Sequence, residues 1–248
     1  MPFTFVLIHG HWHGSWCWSG LVPLLEAQGH RVLTPQLPSD RLGQGAAANA
    51  QTVIEAMESA LGPNHTATDP LSTVLVGHSA GGLTAPLVAR QYPVLHMVFL
   101  AAVLPRPAMS LEQQFRSEPG AEVDGFTWLT RNDGLLEMTN DVARRHFFHD
   151  CPPDVAEAAV GRLRLQTPTT LEEKSPLEVW PDVTSDYVVC ERDRVLAPGW
   201  QRRLAIERLG VTPASLDAGH SPALACPQPL ADLLQALAVG RSDKLTTG

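Results

Sequence analysis

The stretch VLVGHSAGGL, residues 74–83, sets a serine between two glycines where an apolar run stops and a helix-like run begins. Residues 77–81, GHSAG, fit the G-x-S-x-G turn that lifts a serine hydroxyl above the carboxyl edge of a sheet. Glycines on both sides let a strained backbone and the following helix approach closely. Taken alone, such a match is about as often a serine that caps a helix after a strand. The flanking sequence decides the matter: a buried-type strand precedes the pentapeptide and a helical pattern follows it.

Working outward, the same strand-then-helix alternation recurs. FTFVLI (residues 3–8) is an apolar, β-branched and aromatic run that suits a strand buried on both faces, and it ends at His9-Gly10. Residues 15–28 carry apolar positions at helical spacing, Gly29 stands where a C-terminal cap belongs, and RVLTPQL (31–37) resumes a strand pattern. Residues 45–61 read as a second helix, and 62–70 as a loop leading into LSTVLVG (71–77). A helix over about 80–91 then leads to the strand LHMVFLAA (95–102). The alternation returns later with SDYVVCER (185–192), a helix over 198–210, a short strand near 213–217 and a last helix over about 225–239. This order specifies an α/β fold, with a mostly parallel sheet flanked by helices on both faces.

Between the two blocks, residues 105–180 hold no strand-like apolar run, several prolines and helix-like pieces such as SLEQQF and PDVAEAAVGRLRL. They predict a helical cap insertion. The expected organisation is a core of residues 1–104 and 181–240, a cap of 105–180, and a frayed tail over 241–248.

Composition narrows the function. With 44% hydrophobic and 18% charged residues, the 248-residue chain is that of an ordinary globular protein able to bury a sizeable core. A net charge of -8 and the lack of a Lys/Arg cluster leave no surface for nucleic acid or an anionic membrane. Cys17, Cys151, Cys190 and Cys226 lie far apart with no C-x-x-C pair, which disfavours zinc and a disulfide framework and fits reduced thiols in a cytoplasm. No run approaches the roughly 18 apolar residues needed to span a bilayer, and FTFVLI begins too early for a cleavable signal. A soluble, cytoplasmic protein acting on a small molecule is expected, with a homodimer left open.

A serine hydroxyl is a poor nucleophile near neutral pH and needs a base within reach and a group that orients the base. His220, in LDAGHSPAL, follows the last short strand and so lies on the sheet edge that carries the turn. His30, His65, His96, His146 and His149 have structural readings, and His78 sits within the turn itself. Asp193 directly follows YVVCER and precedes a helix; Glu191, two residues earlier, is the weaker candidate because it lies nearer the strand. Backbone N–H groups after the first strand and after the serine, those of His11 and Ala80, are placed to hold an oxyanion. The aromatic cluster around Trp12, His13, Trp16 and Trp18 then walls or supports that loop, with Trp16 and Trp18 foremost as packing residues.

LIHGHWHGSWCW, LVGHSAGG, YVVCERD and AGHSPALACPQPLADLL together resemble the α/β-hydrolase branch of plant-type methylesterases and hydroxynitrile lyases, over nearly the whole chain. The resemblance implies a Ser79–Asp193–His220 triad in the order usual for that fold. It also separates two activities. The lyases carry a threonine after the first-strand histidine and a lysine beside the catalytic histidine, where this chain has Gly10 and Ser221. Without that cation departing cyanide is not stabilised, so the resemblance implies a serine esterase, acting without metal or cofactor on a small apolar or aromatic ester. Hydroxynitrile lyase chemistry and a slow, receptor-like hydrolase are the alternatives. Trp12, His13, Phe126, Trp128, Leu129, Phe147 and Phe148 are the residues expected to bind substrate, the last five as the cap's roof over Ser79.

Overall fold

The computed structural model describes residues 2–62, 72–118, 120, 121 and 123–246, the side chains of 243–246 excepted. Most of the loop expected over 62–70, together with His65 and Leu71, lies outside the described residues.

Among the described residues eight strands are present: β1 Thr4–Ile8, β2 Arg31–Leu33, β3 Thr73–His78, β4 His96–Leu100, β5 Leu129–Thr130, β6 Leu136–Glu137, β7 Ser185–Cys190 and β8 Ala214–Leu216. Six of them form one sheet in the order β2-β1-β3-β4-β7-β8, and every pairing is parallel. Strands β1, β3 and β4 are buried along their whole length, which is why they read as continuous apolar runs rather than alternating ones. Helices cover both faces of the sheet. The long helix Ala46–Leu61 turns Val53, Ile54 and Met57 inward, at spacings of one and three to four residues.

Strand order reverses direction between β1 and β3, so the loops that leave their carboxyl ends part to opposite sides. That is the crevice where open α/β sheets place their ligands. The loop after β1 (residues 9–14) and the turn after β3 (Ser79) both open there.

Two local departures from the sequence pattern have clear causes. The cap contains a β5–β6 hairpin, antiparallel with Leu129 opposite Glu137; two residues per strand are too few to show a period in the sequence. The last helix runs Pro227–Thr246, so residues 241–246 are helical rather than frayed. The long-range pairing of Arg241 with Asp186 on β7 holds that end.

Candidate active site

At the end of β3 the chain turns sharply, and Ser79 adopts φ 53°, the left-handed region that a side-chain-bearing residue occupies only under strain. The flanking glycine is required by space. A Cβ on Gly81 would lie 2.4 Å from the carbonyl oxygen of Ile8, so only glycine lets β1 and the turn pack this closely. The strained turn sets Ser79 in the wall of a small, partly open cavity.

His220 lies in the loop after β8. Its Nδ1–H donates to Asp193 Oδ2 at 2.8 Å, and both side chains are buried. The same carboxylate accepts the backbone N–H groups of Val195 and Leu196 on Oδ1, at 2.7 and 3.1 Å. Gln201 Nε2 donates to Oδ2 at 2.8 Å. Four donors thus compensate the buried charge, and the carboxylate in turn fixes the proton of His220 on Nδ1. Nε2 of His220 is buried and makes no hydrogen bond, so it is the nitrogen able to take up a proton. Glu191, by contrast, pairs with Arg202 at the protein surface.

The turn and the histidine loop are tied by a residue the sequence reading placed only as part of the turn. His78 Nε2–H donates to the carbonyl oxygen of His220 at 2.7 Å, and the two rings are 4.9 Å apart. Gln201 is the other member that sequence reasoning missed. It is wholly buried on the helix Pro198–Leu204, donates to Asp193 and to Leu196 O, and accepts the N–H of Cys190. Its signal is weak: an amide side chain between Trp200 and Arg202, eight residues after an aspartate.

The loop after β1 is held from several sides. His9 Nδ1–H donates to Gly10 O, and Nε2 accepts the N–H of Leu37 at 3.1 Å. Trp12 has φ 57°; its carbonyl accepts from Arg164 N at 2.8 Å, and its own N–H reaches Gln166 Oε1 at 3.4 Å. His11 Nε2 bonds Thr170 Oγ1 at 2.8 Å. Among the described residues no hydrogen bond outside the helices and strands takes up the N–H groups of His11 and Ala80, and both residues line the cavity beside Ser79. Burial pushes the imidazoles of His9 and His11 down to about 3 and that of His13 to about 4, so all three are neutral near pH 7.

Of the seven residues expected to bind substrate, Trp12, Phe126, Trp128 and Phe147 line the cavity. Three do not. Leu129 is 56% exposed, because it faces outward from the β5–β6 hairpin. His13 stacks on Trp16 beneath the loop, bonds His11 O, and lies outside the cavity. Phe148 is buried against His13 and Trp16. The cavity wall is completed by Leu111 and Phe115, one face of the helix Leu111–Ser117, and by Val195 and Leu196 after Asp193. The spacing of Leu111 and Phe115, four residues apart in a helical stretch, was the available sign.

A larger open groove of about 1260 Å³ lies elsewhere, between Arg106, Trp180 and Arg208. Its Arg208 is already engaged by Glu118, Gln114 and Leu104 O, and the Ser117 hydroxyl in its wall donates to Gln114 O with no histidine lining the groove. The smaller cavity is the one that Ser79 lines, together with His11 and Ala80. Among the described residues no cluster of three or more His, Cys, Asp or Glu is arranged to hold a metal ion, and no helix is long and apolar enough to cross a membrane.

A parallel sheet with a strained serine turn after β3, and an Asp–His pair after β7 and β8, defines the hydrolase class of α/β folds. The chain belongs to the alpha/beta hydrolase family, whose model matches residues 5–233. Within that family it falls in the methylesterase and hydroxynitrile lyase branch. It is similar to Methylesterase 2 of Arabidopsis thaliana, 30% identical, with 94% of this chain and 95% of that protein covered. It is also similar to Alpha-hydroxynitrile lyase of Arabidopsis thaliana, 28% identical, covering 94% and 96% respectively. In fold it resembles polyneuridine aldehyde esterase, with a TM-score of 0.75 at 21% identity, covering 96% of this chain and 100% of that one.

Proposed function

We propose that this protein is a carboxylic ester hydrolase that cleaves a small, largely apolar or aromatic ester through an acyl-enzyme on Ser79. The observation that carries the reading is the buried 2.8 Å hydrogen bond from His220 Nδ1 to Asp193, which leaves Nε2 free on a loop that His78 ties to the serine turn. Methylesterase and esterase relatives support the ester as the bond cleaved. The four aromatic walls of the cavity support an apolar or aromatic substrate.

In this mechanism His220 Nε2 takes the proton of Ser79 as Oγ attacks the ester carbonyl carbon. The developing oxyanion is held by the N–H groups of His11 and Ala80, and Asp193 stabilises the imidazolium without itself becoming protonated. Collapse expels the alkoxide, which takes the proton from His220. A water, deprotonated by the same nitrogen, then attacks the acyl carbon and releases the acid and free Ser79. Lyase chemistry finds no side chains to serve it: Gly10 supplies no hydroxyl and Ser221 no cation beside the base. All four cysteines are free thiols, in keeping with a reducing cytoplasm.

The test is a panel of aryl and alkyl esters assayed with the native protein and with Ser79→Ala, alongside cyanide release from aromatic cyanohydrins. Ester turnover by the native protein alone and no cyanide above background are expected. A folded Ser79→Ala that still turns over esters would overturn the mechanism.

A further inference from the structure

One turn of the cap touches both loops that carry the acid and the base. His146, at the end of the helix Asn140–His146, donates from Nδ1 to the carbonyl oxygen of Arg194 at 2.6 Å, next to Asp193. Four residues on, Asp150 Oδ2 accepts the N–H of Gly219 at 2.5 Å, next to His220. The approach is close: a Cβ at residue 219 would lie 2.5 Å from Asp150 Oδ1 and 2.6 Å from His149 Cε1, so a side chain there would push both side chains aside.

The Asp150 side chain is only 6% exposed, its nearest cation, Arg192, is 3.6 Å from Oδ2, and Oδ1 has no partner. A buried carboxylate with one oxygen unpaired is a cost to folding, and an apolar residue would pack the same turn without it. What Asp150 does that an apolar residue cannot is accept the Gly219 N–H. Between the two anchors sits Phe147, which lines the cavity and stacks on the His220 ring at 5.7 Å. Contact with a substrate and alignment of the base therefore share one turn.

We propose that Asp150 is a positioning residue: through the Gly219 N–H it holds His220 in register with Asp193 and Ser79, making base alignment depend on the cap being seated. The proposal rests on the assignment of His220 as the base. A Gly219 N–H released from its acceptor frees the loop one residue from the imidazole, and displacements of about 1 Å at a reacting group cost on the order of a hundredfold in rate.

The experiment uses the full chain with Asp150→Ala, Asp150→Asn and Gly219→Ala, measuring kcat and KM on p-nitrophenyl acetate and the downfield proton resonance of His220 Nδ1–H, assigned by its loss in His220→Ala. Asp150→Ala is expected to lower kcat about tenfold or more with KM little changed. Asp150→Asn, whose amide oxygen still accepts from Gly219, is expected to retain most of it. Wild-type kcat in Asp150→Ala, or an equal loss in Asp150→Asn, overturns the proposal. Should Asp150→Ala not fold, Gly219→Ala sets a Cβ against the Asp150 carboxylate and displaces it from the Gly219 N–H, and an unchanged kcat there overturns the proposal equally. The resonance separates this test from that of the esterase reading. If the native protein hydrolyses no ester, a His220 signal shifted or lost in Asp150→Ala and kept in Asp150→Asn still supports the latch, and an unchanged signal refutes it.

Discussion

Gly10 and Ser79 are in contact: a Cβ on Gly10 would lie 2.7 Å from Ser79 Cβ and 3.1 Å from its Oγ. Ser79 Cβ is fixed by the backbone, so a substitution at residue 10 must displace either Ser79 or the loop after β1. Gly10→Ala is expected to fold, since residue 10 sits in a loop, but to lose about tenfold to a hundredfold in kcat/KM for ester hydrolysis. Circular dichroism and steady-state kinetics on one preparation check this. Wild-type kinetics would show that the turn can shift without harm. The contact also bears on the residues that separate esterase from lyase: Gly10→Thr with Ser221→Lys would displace Ser79 before a new hydroxyl could help, so ester hydrolysis should fall sharply.

Asp193 and Glu191 make a second contrast. Asp193→Asn should lower kcat by about four orders of magnitude, because an amide no longer fixes the proton of His220 on Nδ1. Glu191→Gln weakens a partly exposed pair with Arg202 and a bond with Ser215, neither of which touches His220, and should change little. Gln201→Leu strips one donor from the buried Asp193 carboxylate and the acceptor from Cys190 N–H. Each unpaired buried group costs about 1–3 kcal/mol, so thermal unfolding should move down by at least several degrees. An unshifted melting curve for Gln201→Leu would show that other groups or water take over both bonds.

The sheet was legible because its strands are buried on both faces and read as unbroken apolar runs, and the serine turn because glycine is sterically required beside it. That His220 and Asp193 come together was legible because parallel strands put all their carboxyl ends on one edge. The cavity wall was not legible in the same way. Trp128 lines it and Leu129 is exposed; Phe147 lines it and Phe148 does not. Within such pairs no period decides the inward side, since irregular cap backbone sets the direction of each residue. Contacts such as Asp150 with Gly219 join residues far apart in sequence, so they emerge only when the cap is seated on the core.

The same contrast gives a test of specificity. Trp128 packs on Trp12 at 5.5 Å between ring centroids and on Phe126 at 6.0 Å. Trp128→Ala should raise KM for an aryl ester by about tenfold, as expected for loss of an aromatic contact worth on the order of 1 kcal/mol plus its buried area. Leu129→Ala, one residue away and exposed, should leave KM unchanged. Equal effects at both positions would mean that the hairpin as a whole, rather than the indole, shapes the pocket.

Acid should destabilise the protein through its buried imidazoles before its carboxylates respond. His9 and His11 are held down to about 3 and His13 to about 4, in each case mainly by burial, whereas in the unfolded chain a histidine takes up its proton near 6.5. Between those values the unfolded state binds more protons than the folded one, so stability rises with pH there. The contribution is fully present above about 6.5 and is lost as pH falls toward 4 and 3. At pH 5 each such imidazole removes on the order of 2 kcal/mol, which is one and a half pH units at about 1.4 kcal/mol per unit. Melting temperature should therefore be level above pH 7 and fall steeply from pH 6.5 to 5, a window in which ordinary carboxylates remain ionised. His11→Asn removes one of the three groups and should make that fall visibly shallower. A melting temperature that stays level from pH 7 to 5 would mean that these imidazoles already take up protons in the folded protein, and that the loop beneath Ser79 admits water.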